Sequence, residues 1–164
     1  MLKNLKTNAM RIVEKAGISY DTHSYDHSDG IIDGISVAKK IGKPEAMVYK
    51  TLVTQGSSKE YYVFVIPVTA ELDLKTAARV VSQKSIEMIK TIDINRITGY
   101  VRGGCSPIGM KKEYKTVLDI SCMDHNTLII SAGKIGNQIE LSPKDLISLS
   151  NCLVENIIIK GIKN

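Results

Sequence analysis

At 164 residues, with 43% hydrophobic residues, 24% charged residues and a formal net charge of +5, residues 1–164 suit one soluble globular domain and not a disordered or fibrous protein. No stretch approaches the ~20 apolar residues of a membrane span and the N-terminal segment lacks the apolar core of a secretory signal, so we expect a cytoplasmic protein without membrane contact. The three cysteines are widely separated, which fits neither a disulfide framework nor a metal site, so the sequence predicts no metal and no cofactor.

The first part of the chain predicts helices interspersed with strands. Apolar residues recur at three- and four-residue steps from Leu2 to Ala16, which predicts an amphipathic helix that ends at Gly17. A strand over ISYDTHSY, a polar loop and a short helix over DGISVAKKIGKP follow. MVYKTLVT and YYVFVIPV are rich in β-branched and aromatic residues and are separated by QGSSKE, so they predict a hairpin.

The second part predicts shorter elements. LDLKTAARVVSQ predicts a helix with Asp73 as its N-cap, and KSIEMIK predicts a further short helix. Strands are predicted over TVLDI, TLIIS, NQIEL and VENIIIK, and a helix opens at the capping residue Ser142 and runs through Leu149. Because hairpin neighbours mix with helices, the sequence predicts an α/β (α+β) fold in which helices pack around one mixed, curved, barrel-like sheet.

Lys50 is the first candidate functional residue, because strand alternation places it on the same face as Val48 and Leu52. A lysine among apolar neighbours can lay its stem along the sheet and reach water with its ammonium group. It can also place a cation at the mouth of a pocket, where it would hold a phosphate or polarise an acyl group. The sequence pattern leaves both interpretations open.

The loop RGGCSPIG is the second candidate. Its consecutive glycines permit a tight turn, and they also let backbone N–H groups approach a ligand closely, as in an anion-binding nest or an oxyanion hole. Cys105 could act as a nucleophile only with a nearby base or a lowered pKa, and the sequence places no histidine beside it. A small residue that fills the loop is the favoured interpretation of Cys105.

Five segments occur in the order and spacing of the YbaK family, namely ISY, VYKTL, LDLKTAA, GYVRGGCSPIGMKK and ISAGKIGNQIEL. From about residue 5 to about residue 150 the chain resembles these trans-acting aminoacyl-tRNA editing domains, which in turn resemble the insertion domain of bacterial prolyl-tRNA synthetase. It most closely resembles the Cys-tRNA(Pro) deacylase branch. The resemblance implies a mixed α/β fold and hydrolysis of the ester that joins a wrongly attached cysteine to tRNA(Pro). An apolar pocket separates near-isosteres by only ~1–3 kcal/mol, so a second selection step is needed.

The same resemblance implies catalytic roles for three residues. Lys50 corresponds to the functional lysine of VYKTL and would contact the acceptor end of the tRNA or position the aminoacyl group. Gly103 and Gly104 would supply backbone groups near the scissile carbonyl. Thr51, the next residue of the VYKTL motif, would contact the substrate.

Further residues would form the pocket by resemblance. Tyr20 corresponds to the tyrosine of ISY and would line it. Ser106 and Pro107 would shape the substrate-binding loop, and Ser131 would belong to a wall of small residues.

In the mechanism that the resemblance implies, the substrate's own cysteine thiol attacks its ester carbonyl and expels the tRNA, leaving a thiolactone that hydrolyses afterwards. Such an intramolecular attack gains a large effective molarity once the groups are oriented. Cys105 is then a bystander. One position departs from the family, because many members read GLDIEL where this chain reads GNQIEL. Gln138 therefore replaces an aspartate, and a contact with the substrate amino group would become neutral.

Three other functions stay open on the sequence. The substitution at Gln138 leaves an Ala-tRNA(Pro) deacylase of the same family as an alternative. The dispersed basic residues would also suit a non-catalytic module that binds aminoacyl-tRNA or other RNA. A hydrolase with Cys105 as nucleophile is the third. The resemblance implies the tRNA acceptor end as substrate and prolyl-tRNA synthetase as partner, and we expect a monomer because the sequence shows no obvious interface signal.

Overall fold

Helices and strands alternate along the chain in the computed structural model, which describes residues 6–159. Within those residues the α-helices are α1 (Asn8–Lys15), α2 (Gly34–Ile41), α3 (Leu74–Val80), α4 (Ile94–Thr98) and α5 (Pro143–Ser150). The strands are β1 (Asp21–Ser24), β2 (Tyr49–Gly56), β3 (Tyr61–Pro67), β4 (Ile86–Met88), β5 (Lys115–Asp119), β6 (Leu128–Lys134), β7 (Asn137–Leu141) and β8 (Leu153–Glu155). None of these helices is both long enough and apolar enough to cross a membrane.

The strands form two sheets. The smaller sheet has the order β1-β7-β6 and is antiparallel, and the larger has the order β4-β2-β3-β5-β8. In the larger sheet β2 runs antiparallel to both neighbours, whereas β5 runs parallel to β3 and β8. An isolated parallel bridge between Val48 and Ile129 joins the two sheets immediately before β2. The mixed α/β class is confirmed, but the single barrel-like sheet that we predicted is instead two sheets that diverge from this bridge.

Strand β3 lies in the middle of the larger sheet and is buried on both faces. Val63 and Val65 pack into a cluster that contains residues of α1, whereas Phe64 and Ile66 pack into a second cluster that contains residues of α3. Because side chains alternate along a strand, burial on both faces requires the uninterrupted apolar run that the sequence shows at this point.

Helix α2 covers one side of the gap between the sheets. Its N-cap is Asp33, whose carboxylate accepts a hydrogen bond from a backbone N–H of the first turn. Its buried residue Ala38 packs into a small cluster with Val48, Val68 and Ile129. The helix therefore rests on the residues that join the two sheets.

Most predicted elements are confirmed. The hairpin of β2 and β3 is present, and Asp73 and Ser142 cap α3 and α5 as predicted. The first predicted helix is confirmed as α1, but the part that begins at Leu2 lies outside the described residues. The last predicted strand is represented by β8, which starts one residue earlier than VENIIIK and ends at Glu155.

The predicted helix over KSIEMIK is wrong. Residues 86–88 form strand β4, which pairs antiparallel with the end of β2. Ser82 adopts a positive φ of 59° just after α3, which turns the chain back towards the sheet. Pairing with an open sheet edge therefore outweighs the weak helical pattern of this segment. Helix α4 forms at residues 94–98, for which the residue pattern predicts no helix.

Gly34 allows α2 to pack closely, and its replacement tests this contact. A Cβ atom at Gly34 would lie 2.3 Å from Val68 Cγ1 and 2.7 Å from Val68 Cβ. We expect Gly34→Ala to lower the free energy of unfolding by about 1–3 kcal/mol, because the helix must shift off the sheet. Urea unfolding measures the change, with exposed Lys39→Ala as a control that stays within about 0.5 kcal/mol. Equal stability of Gly34→Ala and wild type would contradict the packing described.

Candidate functional site

A cavity of about 140 Å³ opens where the two sheets diverge. Strand β2 forms one wall, strands β6 and β7 form another, and the loop before β5 and helix α2 complete it. Four of the predicted site residues line this cavity, namely Lys50, Thr51, Gly103 and Ser131. An engineered cavity of about 150 Å³ holds benzene, so this volume suits the side chain of a small amino acid.

Lys50 contributes a cation to the cavity wall. Its side chain is half-buried on β2, opposite Ile66 of β3. Burial lowers the pKa of the Lys50 ammonium below its usual value, and the negative charge of Glu71 only partly opposes this effect. No ion pair of Lys50 with a carboxylate is present among residues 6–159. The structure thus favours the pocket cation over a lysine that merely extends into water.

The cavity wall carries no opposing carboxylate in the described part of the chain. Gln138 lines the cavity from β7 and is 6% exposed. It pairs with Ser131 across the β6–β7 hairpin, and Ser131 Oγ accepts a hydrogen bond of 3.1 Å from the Gly133 N–H. A neutral carboxamide therefore stands at the position where the sequence departs from the family pattern.

Gly103 and Gly104 behave differently. Gly103 has a positive φ of 84° and lines the cavity, and a Cβ atom there would lie 2.5 Å from Ile32 Cδ1. Gly104 packs behind the cavity wall, where a Cβ atom would lie 2.9 Å from the backbone nitrogen of Ile135. The Gly104 N–H also donates a hydrogen bond of 2.9 Å to the Val101 carbonyl. Gly103 therefore faces the cavity, whereas the amide of Gly104 is used within the loop.

Ser106 and Pro107 are buried and do not line the cavity. Ser106 Oγ accepts a hydrogen bond of 3.2 Å from the Ile108 N–H, which fixes the turn. Neither side chain reaches the cavity, so any part they play in substrate binding is the shaping of the loop that the resemblance implies. They hold the loop that carries Gly103 and Cys105.

Cys105 lines the cavity but lacks the surroundings of a nucleophile. Burial raises the pKa of its thiol to about 11, although a hydrogen bond with the Thr98 side chain partly opposes this. In the described residues no histidine lines the cavity, and His23 Nε2 instead lies 2.7 Å from Glu140 Oε1. With its pKa raised and no histidine beside it in the described residues, the thiol lacks the activation that a nucleophilic cysteine needs.

Two tyrosines, Tyr25 and Tyr49, line the cavity, whereas Tyr20, which we predicted there, does not. The Tyr20 hydroxyl donates a hydrogen bond to the Glu14 carboxylate, and Tyr20 does not line the cavity. Tyr25 lies just after β1, is 8% exposed and lines the cavity. Its hydroxyl has no hydrogen-bond partner within residues 6–159. An unpaired buried hydroxyl is costly, so this group is ready to bond a polar atom of a ligand.

Lys40 holds the loop between β1 and α2 against the cavity. Its ammonium donates hydrogen bonds of 2.8 Å to the Asp26 carbonyl, 2.9 Å to Asp29 Oδ1 and 2.9 Å to the Ile31 carbonyl. It also lies 5.9 Å from the centroid of the Tyr25 ring, which adds a cation–π contact. One side chain thereby ties a polar loop to the tyrosine and to α2.

The chain is similar to known proteins in sequence. Residues 34–149 match the family model of the aminoacyl-tRNA editing domain, so the chain belongs to that family. It is 44% identical over 146 residues to a protein of Enterococcus faecalis provisionally named Cys-tRNA(Pro)/Cys-tRNA(Cys) deacylase EbsC, with 89% of each chain covered. It is 25% identical over 130 residues to YwhH of Bacillus subtilis, an uncharacterised protein, covering 79% of this chain and 81% of YwhH. The family resemblance inferred from the sequence is confirmed.

Solved structures share the fold. A protein provisionally described as a trans-editing enzyme for prolyl-tRNA synthetase superposes with a TM-score of 0.82 at 20% identity, covering 96% of this chain and all of the other (100%). The hypothetical protein APE2540 gives a TM-score of 0.83 at 17% identity, covering 91% and 97% of the two chains. At these identities the likeness establishes the arrangement of helices and strands.

Removing the Lys40 ammonium tests its role in holding the loop. We expect Lys40→Met to speed hydrogen exchange of the Gly30 and Ile31 amides by about tenfold or more, because hydrogen bonds from a charged donor are lost. Exposed Lys39→Met on the same helix is the matched control and should leave both rates unchanged. Hydrogen exchange followed by NMR gives the rates. Unchanged exchange in Lys40→Met would show that the loop is held by other contacts.

Proposed function

We propose that this chain is an aminoacyl-tRNA deacylase that removes cysteine wrongly attached to tRNA(Pro), with Cys-tRNA(Cys) as a further substrate. The observation that supports this proposal is a cavity of amino-acid size with three features: the Lys50 cation without an ion pair and the Tyr25 hydroxyl without a hydrogen-bond partner, both judged within residues 6–159, and the close backbone of Gly103. Membership of the editing family and 44% identity to EbsC support the reaction class and the substrate.

In this proposal the cysteinyl group occupies the cavity. The carbonyl lies at Gly103, where no Cβ atom prevents close approach of the backbone. Lys50 stabilises the negative charge that develops on the ester, and the low polarity of its surroundings strengthens this effect. Tyr25 gives its hydroxyl a partner on the substrate and so fixes the orientation of the aminoacyl group.

The substrate thiol supplies the nucleophile. Its sulfur bonds to the ester carbonyl carbon, the bond from that carbon to the ribose oxygen breaks, and the thiol proton ends on the ribose oxygen. The products are deacylated tRNA and a cysteine thiolactone, which water then opens to free cysteine. No protein nucleophile is required, which agrees with the raised pKa of Cys105. Correct prolyl-tRNA lacks a thiol and escapes this reaction.

We also propose a domain organisation, a cellular location, an oligomeric state and a partner for the protein. Residues 1–164 act as one editing domain on the acceptor end of the tRNA, in the cytoplasm, where tRNA is charged. The chain works as a monomer, and prolyl-tRNA synthetase is its partner, since that enzyme produces the mischarged tRNA. The trans-editing description of the protein with a TM-score of 0.82 is consistent with this partnership.

A deacylation panel tests the reaction and its residues. The esters are Cys-tRNA(Pro), Cys-tRNA(Cys), Ala-tRNA(Pro) and Pro-tRNA(Pro). We expect wild type to hydrolyse the cysteinyl esters and Lys50→Ala to be about 100-fold slower or worse, because a group that stabilises the transition state is lost. Exposed Lys59→Ala controls for the loss of a positive charge, and Cys105→Ser should stay within about threefold of wild type.

Each other outcome of the panel has one meaning. Preference for Ala-tRNA(Pro) would move the protein to the alanine-specific deacylases, whose substrate has no thiol. Turnover without dependence on Lys50 would contradict the role of this lysine. Loss of activity in Cys105→Ser would favour the hydrolase with Cys105 as its nucleophile. The absence of all turnover would favour a module that only binds aminoacyl-tRNA.

Substitution of Gln138 tests how the site recognises the amino group of the substrate. We expect Gln138→Asp to lower KM for Cys-tRNA(Pro) several-fold, because a carboxylate would face the substrate ammonium in a cavity whose described wall has none. Asn137→Asp makes the same change of charge at the adjacent residue, which does not line the cavity, and should leave KM unchanged. Steady-state kinetics provide both values. Equal effects of the two substitutions would mean that only net charge matters.

A further inference from the structure

A second cavity of about 220 Å³ adjoins the first. Thr51, Gly103 and Cys105 line both, so these three residues are the partition between them. The second cavity lies between β2, the edge strand β4, the segment that leads into α4, and the loop that carries Arg102. The function proposed above does not use it.

The chemistry of the two cavities differs. The first carries polar groups, including Lys50 and Gln138, whereas the second is mainly apolar, with walls formed by Leu52, Met88, Ile89 and Ile94. One cation, Arg102, also lines the second cavity, and it is exposed. An apolar wall and a guanidinium group are surfaces on which a nucleobase packs, and arginine is well suited to bond a phosphate.

Three exposed apolar residues line this cavity or stand next to its lining residues in the sequence. Met88, which lines it, is 46% exposed, and Ile92, next to the lining residue Thr91, is 85% exposed. Val101, next to Arg102, is 49% exposed. Single exposed apolar residues are common, but three that adjoin one cavity indicate a surface that a ligand covers.

The covalent bond between the aminoacyl group and the tRNA indicates which ligand the second cavity binds. If the aminoacyl group fills the first cavity, as proposed above, its carbonyl stands at the partition, and the ribose oxygen is one bond away. The larger, apolar cavity lies directly beyond Gly103 and Cys105. We propose that this second cavity binds the terminal nucleoside of the aminoacyl-tRNA, with the base against the apolar wall and a backbone phosphate at Arg102. This inference rests on the proposed function for its orientation.

Binding of adenosine 5′-monophosphate to the full chain tests the site without requiring catalysis. We expect millimolar nucleotide to shift the methyl NMR signals of Met88, Ile89 and Ile94, and to leave those of Val37 in the first cavity nearly unchanged. Arg102→Ala should weaken binding about tenfold, whereas Arg79→Ala, an exposed arginine on α3, should not. Arg102→Lys should recover part of the affinity. Absent shifts, or equal shifts in both cavities, would overturn the site.

Hydrolysis of three esters separates this inference from the proposed function. The substrates are Cys-tRNA(Pro), the cysteinyl ester of adenosine 5′-monophosphate, and cysteine methyl ester, which has no nucleoside. We expect Arg102→Ala to raise KM about tenfold for the first two and less than twofold for the methyl ester, whereas Lys50→Ala slows all three. Equal effects of Arg102→Ala on all three would overturn the nucleoside site. Nucleotide binding without hydrolysis of any ester would support the site and overturn the deacylase.

Discussion

The bridge between Val48 and Ile129 is the constraint on which the site depends. It holds the two sheets together at one point, and α2 covers that point through Ala38. Beyond it β2 runs into the larger sheet while β6 stays in the smaller one, so a gap opens between strands that would otherwise pair. Lys50 and Thr51 are the second and third residues past the bridge, which places them in this gap. A closed barrel would have filled the same space with paired backbone.

Residue patterns predicted the elements whose stability is local. The β2–β3 hairpin, α1 and α5 each carry a clear periodicity or cap, and each is present. The segment 84–90 was assigned wrongly because its strand exists only through pairing with β2, which is a long-range contact. Likewise, whether the strands form one sheet or two depends on where neighbouring strands separate. Side-chain alternation within a strand carries no information on that point.

The sequence also predicted part of the candidate site. Strand alternation identified Lys50, and the unusual loop identified Gly103, because each carries its chemical signal in its immediate neighbours. The tyrosine was misassigned although ISYDTHSY contains both candidates. Which of them faces the cavity depends on the pairing of β1 with β7 and on where the chain leaves β1. The different uses of Gly103 and Gly104 likewise follow from packing against the β6–β7 hairpin, which no local motif encodes.

The partition between the two cavities has a consequence for divergence. Among residues 6–159, only Thr51, Gly103 and Cys105 border both spaces, and every other lining residue belongs to one space alone. Substitutions at Gln138 or Tyr25 can therefore alter one compartment while the other keeps its shape. Substitutions can therefore change selectivity for the aminoacyl part of a substrate and leave unchanged the cavity for the nucleoside part, which all such substrates share. Gly103 lacks this freedom, because it borders both compartments and a side chain there would collide with Ile32 in the wall of the first.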